Sequence, residues 1–433
     1  MPSDRTTVTE LGTGLGMLGH ADMDDAVGAR SPVMHSLSPE IWQRLAQLRA
    51  GGAYDAEFHA AWENGRAFLG ASDGLRSRLP AVVEWKGTGR APGDEVAPVD
   101  LRVDHVYLVS CKYLSKILFN VSPAAMFDHL LLAGQSRGSR AARVLLPGGG
   151  DWYAEVAPSE YQALYGAVRA AAVRAAVPAA AARGDGAEMA VRTAATRTGT
   201  RREAARAGGA PALPGLGAPE APEASARGGA GTEMGDRGSD PVAAAGTGAW
   251  SNGLGGAGTA GLRDLPHRAV ELTTAQRDAL GRWLRAGWPP GVKESYVDLS
   301  SAVARASVRR WEAAMDVGGG TGEAMLWRLL RIGSAPYFVL GSSAERSLRL
   351  RIATSWDWRQ QFQLISIHME PQRGGQPRVG WLALVRDRST YEVSEVAGHI
   401  EVRWSHGRFG GLPEAKGYLD TPHHLVPGYF ALR

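Results

Sequence analysis

The chain has 433 residues, a formal net charge of +4 and an apolar content of 44%, which are ordinary values for a globular protein of two or three domains. Its single cysteine, Cys111, excludes an intramolecular disulfide and a cysteine-rich zinc site. No stretch approaches the ~20 continuous apolar residues of a membrane helix, and the first residues lack the basic-then-apolar pattern of a secretory signal. We therefore expect a cytoplasmic protein that does not enter a membrane.

The N-terminal region contains two clear helix patterns. Residues 1–36 are rich in glycine and aspartate and show no sustained period, so they are predicted to be flexible. A helix is predicted to begin after Ser38, which suits the N-cap position, and to stop at Gly51. A second helix is predicted for residues 54–69, because its large apolar residues recur at a spacing of four.

Strand patterns follow from residue 81. The strand-like segments are AVVEWKG, VDLRVDHVYLVSCK and ARVLLPGG, and the helix-like segments between and after them include PAAMFDHLLLAG and PSEYQALYGAVRAAAVRAA. This alternation predicts that residues 37–177 form an α/β domain with a mixed central sheet flanked by helices.

Composition changes again beyond this domain. Residues 178–262 are dominated by alanine, glycine, arginine, threonine and proline, and contain too few large apolar residues to offset the entropy of ordering. They are predicted to be a disordered linker. Residues 263–433 begin with helical periods and change to a period of two from Ala335, so they are predicted to be an α+β domain ending in a β-rich module that recognises the target.

Lysine is scarce in this chain, and three of the five lysines lie close together, at positions 86, 112 and 116. A lysine is a compact point charge whose pKa can shift, whereas an arginine is wide and always charged. The same region contains Asp100, Asp104 and Ser110. Carboxylates that hold Mg²⁺ and a lysine that orients water are the groups that phosphodiester hydrolysis requires.

The geometry of a hairpin decides whether these residues can act together. On one unbroken strand, Asp100 and Lys112 would lie ~40 Å apart at about 3.3 Å per residue. A two-residue turn at Asp104-His105 would leave them on opposite faces of the sheet. A three-residue turn at 104–106 would pair Asp100 with Ser110 and place Asp100 and Lys112 on one face. A nuclease site requires the three-residue turn or a bulge.

The segment resembles the PD-(D/E)xK nuclease superfamily, which has the restriction-endonuclease-like fold. Pro98-Val99-Asp100 is similar to the first acid of the family pattern, and Ser110-Cys111-Lys112 is similar to its acid-x-Lys. The resemblance covers about residues 38–170. It implies a metal site of Asp100 and a second carboxylate, with Lys112 beside it, and Mg²⁺ or Mn²⁺ as the cofactor. It also implies an acidic upstream helix, for which Glu57 and Glu63 are the candidates.

The serine at position 110 departs from the family pattern, because an acid usually stands there. Glu84, on the preceding strand, is the preferred replacement as second metal ligand and catalytic carboxylate, and Asp104 is a less favoured one. Glu84-Trp85-Lys86 is itself an acid-x-Lys, with Asp73 before it, and forms a competing register. An inactive site is the other explanation of the serine.

Nucleic-acid contacts are expected mainly from the C-terminal region. The candidate contact residues are Lys116, Arg403, His406, Arg408 and Lys416. The sequence thus predicts a metal-dependent DNA endonuclease, of a restriction or phage-defence type, that acts as a homodimer or with a further protein partner. The alternative is a catalytically inactive nucleic-acid- or protein-binding protein that retains the nuclease-like fold.

Overall fold

The structure is a computed structural model that describes residues 3–87, 99–113, 117–128, 151–176, 262, 264–317, 322–342, 347–405 and 407–433. The chain divides into one compact unit made of Met1–Ala170 and Asp264–Arg433, and a second unit, Ala171–Arg263. The predicted linker lies outside the described residues except for Leu262. None of the described helices is both long enough and apolar enough to cross a membrane.

The described helices are α1 (Asp4–Gly16), α2 (Met23–Ala29), α3 (Pro39–Ala50), α4 (Asp55–Gly70), α5 (Pro123–Phe127), α6 (Trp152–Val156), α7 (Pro158–Ala176), α8 (Thr274–Trp283), α9 (Lys293–Val317), α10 (Gly322–Leu329) and α11 (Ser355–Gln361). Short 3₁₀ turns occur at Ala269–Glu271, Leu284–Ala286 and His423–Leu425. The two helices predicted near the N-terminus are confirmed as α3 and α4. Ser38 is the N-cap residue of α3, and Gly51 follows its last residue.

The described strands are β1 (Met34–His35), β2 (Val83–Trp85), β3 (Leu101–Val103), β4 (Tyr107–Tyr113), β5 (Ile117–Val121), β6 (Tyr337–Ser342), β7 (Ser347–Ile352), β8 (Phe362–Gln372), β9 (Arg378–Asp387), β10 (Val393–Trp404), β11 (Pro413–Leu419) and β12 (Tyr429–Ala431). They form two sheets, with the orders β1-β2-β3-β4-β6-β7-β12 and β5-β11-β10-β9-β8. The first sheet is mixed, since β1–β2 and β4–β6 are parallel and its other pairs are antiparallel. The second sheet is antiparallel throughout.

The α/β character and the mixed sheet with flanking helices agree with the predicted fold class. The separation into two folded domains, at 37–177 and 263–433, does not agree with the strand pairing. β4 pairs along its whole length with β6, and β5 pairs with β11. Each sheet therefore takes strands from both parts of the chain, and both parts belong to one compact unit. The prediction failed because strand partners distant in sequence leave no local signal.

The prediction of a flexible segment at 1–36 was wrong. α1 is buried along most of its length, and the helix lies directly against α4. The glycines that suggested flexibility allow this close approach. A Cβ atom on Gly65 would lie 2.2 Å from the carbonyl oxygen of Thr13, and a Cβ atom on Gly16 would lie 2.4 Å from that of Trp62. Glycine at these positions lets the two backbones touch.

A hydrophobic core joins helices α1–α4 to one face of the seven-stranded sheet. It contains Leu11 and Leu15 of α1, Trp85 of β2, and Val109 and Cys111 of β4. Cys111, the single cysteine of the chain, has a buried free thiol. This core fixes α1 against the sheet, so that residues of α1 line a cleft together with Asp100 and Lys112.

Candidate active site

The hairpin between β3 and β4 has the three-residue turn. Val103 pairs with Tyr107, and Leu101 pairs with Val109, so residues 104–106 form the turn. Asp104 and His105 both have positive φ, at 50° and 58°, a conformation that such side chains tolerate better than most. This register brings Asp100 opposite the end of β4 that contains Lys112.

Asp100 lies in a bend immediately before β3 and reaches across to β4. Its backbone N–H donates to the carbonyl of Val109 at 2.9 Å. Its Oδ2 accepts hydrogen bonds from the Cys111 N–H at 2.6 Å and from the Ser110 hydroxyl at 3.2 Å. The carboxylate therefore has a fixed orientation, because two donors hold the same oxygen.

Asp100 and Lys112 line one cleft of about 220 Å³. The other lining residues come from the N-terminal half of α1 and from β4, and are Arg5, Thr6, Thr9, Glu10, Cys111 and Tyr113. The guanidinium of Arg5 lies 5.9 Å from the centre of the Tyr113 ring. The cleft thus combines two carboxylates, one amine and a set of hydrogen-bond donors.

Glu10 provides the second carboxylate of the cleft. Its residue is only 7% exposed, and its Oε2 accepts a hydrogen bond of 2.6 Å from Trp85 Nε1. Burial raises the pKa of Glu10 from 4.5 to about 8, and the charge of Asp100 acts in the same direction. The Trp85 bond and the charge of Lys112 oppose this rise. A carboxyl group so perturbed, inside a cleft, is a sign of a functional site.

Lys112 is partly buried at the end of β4 and has a perturbed amine. Burial is the main cause that lowers its pKa, and the nearby Arg331 guanidinium lowers it further. The charges of Asp100 and Glu10 act in the opposite direction. The two carboxylates are therefore close enough to the amine of Lys112 to influence its protonation.

Glu84, the predicted second carboxylate, does not line this cleft. Its carboxylate contacts the amine of Lys86 at 3.1 Å and the guanidinium of Arg102 at 4.0 Å. In the competing register, Asp73 lies 3.8 Å from Arg351. Glu84, Lys86 and Asp73, which form the competing register, are therefore held in ion pairs. Asp100 and Lys112, in contrast, line the cleft.

The three supporting acids have other contacts. Glu57 is buried and forms a 2.9 Å ion pair with Arg5 at the edge of the cleft. Glu63 is exposed on α4. Asp104 accepts hydrogen bonds from the N–H groups of residues 81 and 82 and pairs with Arg78 at 2.8 Å. Of these acids, only Glu57 contacts a residue of the cleft, and Asp104 stabilises the turn.

The predicted nucleic-acid contacts fall into two groups. Arg403 and Lys416 lie on the second sheet, and each has an acid close by, at 3.7 Å from Glu401 and 3.6 Å from Glu414 respectively. Arg408 donates to the carbonyl of Leu284 and its guanidinium lies 4.8 Å from the centre of the Trp288 ring, so it joins two segments of the fold. Lys116 and His406 lie outside the described residues.

Glu10 is the cleft residue that the sequence analysis missed. It is the only charged residue between Arg5 and His20, in a run of threonine, leucine and glycine. A lone carboxylate in such a run was a usable signal. The glycines obscured it, because they suggested a loop where the structure has a helix.

Two carboxylates line the cleft, and carboxylate oxygens are ligands that Mg²⁺ prefers. Within the described ranges, no group of three or more His, Cys, Asp and Glu side chains is placed to hold a metal. Mg²⁺ keeps several waters, however, and is commonly held by one or two carboxylates together with a substrate phosphate. One oxygen each of Glu10 and Asp100 is used by the protein. Glu10 Oε1 and Asp100 Oδ1 would be the ligands.

Comparisons with protein-family models, with curated proteins and with solved structures gave no match to this chain. We therefore infer the function from the geometry of the cleft.

Proposed function

We propose that this protein is a metal-dependent phosphodiesterase that cleaves DNA, with its active site in the cleft of Glu10, Asp100 and Lys112. The observation that carries the proposal is the presence of these three side chains in one cleft. They come from α1, from the bend immediately before β3 and from the end of β4. The PD-(D/E)xK pattern likewise combines an acid at the start of one strand with a lysine on the next, but the resemblance covers residues 38–170 and does not include Glu10.

Glu10 takes the place that the sequence analysis assigned to Glu84. The serine at position 110 leaves β4 without the usual acid, and the carboxylate of α1 supplies the second negative charge instead. Glu10 and Asp100 would hold Mg²⁺ or Mn²⁺. When bound, the cation would neutralise charge on the scissile phosphate and acidify water. It would also keep Glu10 ionised at neutral pH, since a metal ligand must be deprotonated.

Lys112 is the cation that touches the substrate in this proposal. Its ammonium group would contact a phosphate oxygen or the attacking water and stabilise the negative charge that develops there. Arg5, at the edge of the cleft, is 62% exposed through its side chain and would bind a neighbouring phosphate. Thr6 adds a hydroxyl group from the same helix, whereas the hydroxyl of Thr9 already donates to the carbonyl of Arg5 at 2.9 Å.

Binding without cleavage is the second candidate function. The observation in its favour is that Ser110 replaces an acid and is fully buried, so β4 offers no carboxylate to the cleft. A protein of this kind would bind DNA in the presence or absence of Mg²⁺ and would leave it intact.

The test is a cleavage assay on DNA substrates with Mg²⁺, Mn²⁺ or EDTA. We expect cleavage by the wild type with either cation, and loss of cleavage in Lys112→Ala and Asp100→Asn. Lys86→Ala and Glu84→Gln are the matched controls, because they change the same residue types in the competing register, and we expect both to cleave. Cleavage that persists in Lys112→Ala would refute the proposed site. Binding without cleavage by every variant would establish the second candidate.

A further inference from the structure

Glu57 is a buried carboxylate on α4 that has no part in the proposed chemistry. Its side chain is only 8% exposed, and its Oε1 accepts a hydrogen bond of 2.9 Å from Nε of Arg5 on α1. Within the part of the chain that the structure describes, Arg5 is the only cation that forms an ion pair with it. A buried charge without a partner is costly, so the carboxylate of Glu57 ties the side chain of Arg5 to α4.

Arg5 is held at two places and open at a third. Its Nε is bound to Glu57, and its guanidinium lies 5.9 Å from the centre of the Tyr113 ring, within the range of a cation–π contact. The side chain of Arg5 is nevertheless 62% exposed and lines the cleft. Its Nη1 and Nη2 groups form no hydrogen bond with the residues that the structure describes. The guanidinium is therefore fixed in place with two of its three nitrogens available.

The open part of this guanidinium fits a phosphate group. A guanidinium carries five N–H donors in a rigid planar fork. Glu57 uses the donor on Nε, so the four donors on Nη1 and Nη2 remain. Two parallel N–H groups match two oxygens of a phosphate.

The charge of Glu57 would have the opposite effect if it acted alone. A carboxylate near a bound phosphate repels it. On charge alone, removal of this carboxylate should therefore tighten the binding of DNA. A role in holding Arg5 predicts that the same removal weakens binding, so the sign of the change distinguishes the two.

We infer that Glu57 is a positioning residue that holds Arg5 so that its Nη1 and Nη2 groups bind one backbone phosphate of DNA. This inference rests on the proposed function, since DNA is the ligand in both. Glu57 acts through Arg5 and does not touch the substrate. A side chain that is already ordered in the free protein loses less freedom on binding, which strengthens the complex.

The test compares Glu57→Met with Glu63→Met in the 433-residue chain. Both variants remove one negative charge from α4, but Glu63 is exposed. A labelled DNA duplex is titrated at low salt in EDTA, and again with Mg²⁺ on the Lys112→Ala background, to follow binding without cleavage. We expect Glu57→Met to weaken DNA binding about threefold, the size expected when one flexible side chain must be ordered on binding. Glu63→Met should bind at least as tightly as the parent protein.

A double-mutant cycle separates positioning from a general effect on the fold. On an Arg5→Ala background, Glu57→Met should no longer weaken DNA binding, because no guanidinium remains to be held. Damage to the packing of α1 against α4 would weaken binding on both backgrounds. Glu57→Gln, which keeps the shape of the side chain, replaces Glu57→Met if that variant does not fold, and the same sign is expected.

The outcomes separate this inference from the proposed function. Wild-type or tighter DNA binding by Glu57→Met would overturn the role of Glu57, even where the wild type cleaves DNA. Equal weakening with and without Arg5 would overturn it as well. A wild type that binds DNA but never cleaves it would refute the proposed cleavage, and the coupling between Glu57 and Arg5 would still decide the inference. Absence of DNA binding by the wild type would refute both.

Discussion

Replacement of Glu10 by glutamine probes the electrostatics of the candidate site directly. Glutamine has the same shape and can still accept the hydrogen bond from Trp85 through its amide oxygen, but it cannot ionise. Burial raises the pKa of Glu10 from 4.5 to about 8. In this pH range the folded protein therefore retains a proton that the unfolded chain releases, and the wild type loses stability as the pH rises.

The size of the effect follows from the pKa values. Each pH unit between the unfolded pKa of 4.5 and the folded pKa of about 8 corresponds to about 1.4 kcal/mol. The free energy of unfolding of the wild type should therefore fall by about 3–4 kcal/mol between pH 5 and pH 8 because of Glu10. Above pH 8 the loss should level off, because Glu10 is then ionised in both states. Glu10→Gln has no such loss, so its stability relative to the wild type should rise by the same amount.

The assay is urea unfolding of the metal-free proteins at several pH values from 5 to 9, with the difference in free energy of unfolding plotted against pH. Addition of Mg²⁺ at pH 8 should stabilise the wild type and leave Glu10→Gln unchanged, because the cation needs the ionised carboxylate. A difference that stays constant from pH 5 to pH 9 would refute the reasoning, since Glu10 would then titrate alike in the folded and unfolded chain.

Three further predictions concern the fold and the substrate contacts. Gly65→Ala should lower the free energy of unfolding by about 2–3 kcal/mol, because its Cβ would lie 2.2 Å from a backbone oxygen of α1. The control in the same urea titration is Gly70→Ala, since Gly70 has open space around it. Arg5→Ala should weaken DNA binding a few-fold at low salt in a fluorescence titration, with kcat retained, whereas Arg44→Ala should bind as the wild type does. Arg408→Ala should cost about 1–2 kcal/mol of stability through its lost ring contact and hydrogen bond, and leave DNA affinity unchanged; a clear loss of affinity would restore Arg408 as a contact residue.

Local patterns in the sequence predicted a good part of this structure. Ser38 and Gly51 clearly mark the two ends of α3 in the sequence. The spacing of the apolar residues in α4 identifies its buried face, which includes Phe58. The hairpin was foreseen together with its two registers, but the sequence could not choose between them. The choice depends on Asp104, which bonds to the backbone of residues 81 and 82, and such contacts have no local pattern.

The second carboxylate of the cleft could not be predicted from local sequence patterns either. Glu84 satisfied the sequence pattern, but Lys86, immediately after the same strand, pairs with it. Glu10 belongs to α1, which the sequence did not predict because its glycines have a low helix propensity. Tertiary packing against α4 overrides that propensity, and the helix then carries the carboxylate into place.

The parallel pairing of β4 with β6 has a consequence for the order of synthesis. Residues 108–113 need residues 337–342 as their neighbours in the sheet, and residues 177–261 separate the two segments in the chain. Most of the polypeptide must therefore be synthesised before β6 can pair with β4, the strand that contains Lys112. Pairing over such a distance is slow to form. The edge of β4 would thus stay unpaired on the nascent chain, and a chain that terminates before Tyr337 would lack β6, its neighbour in the sheet.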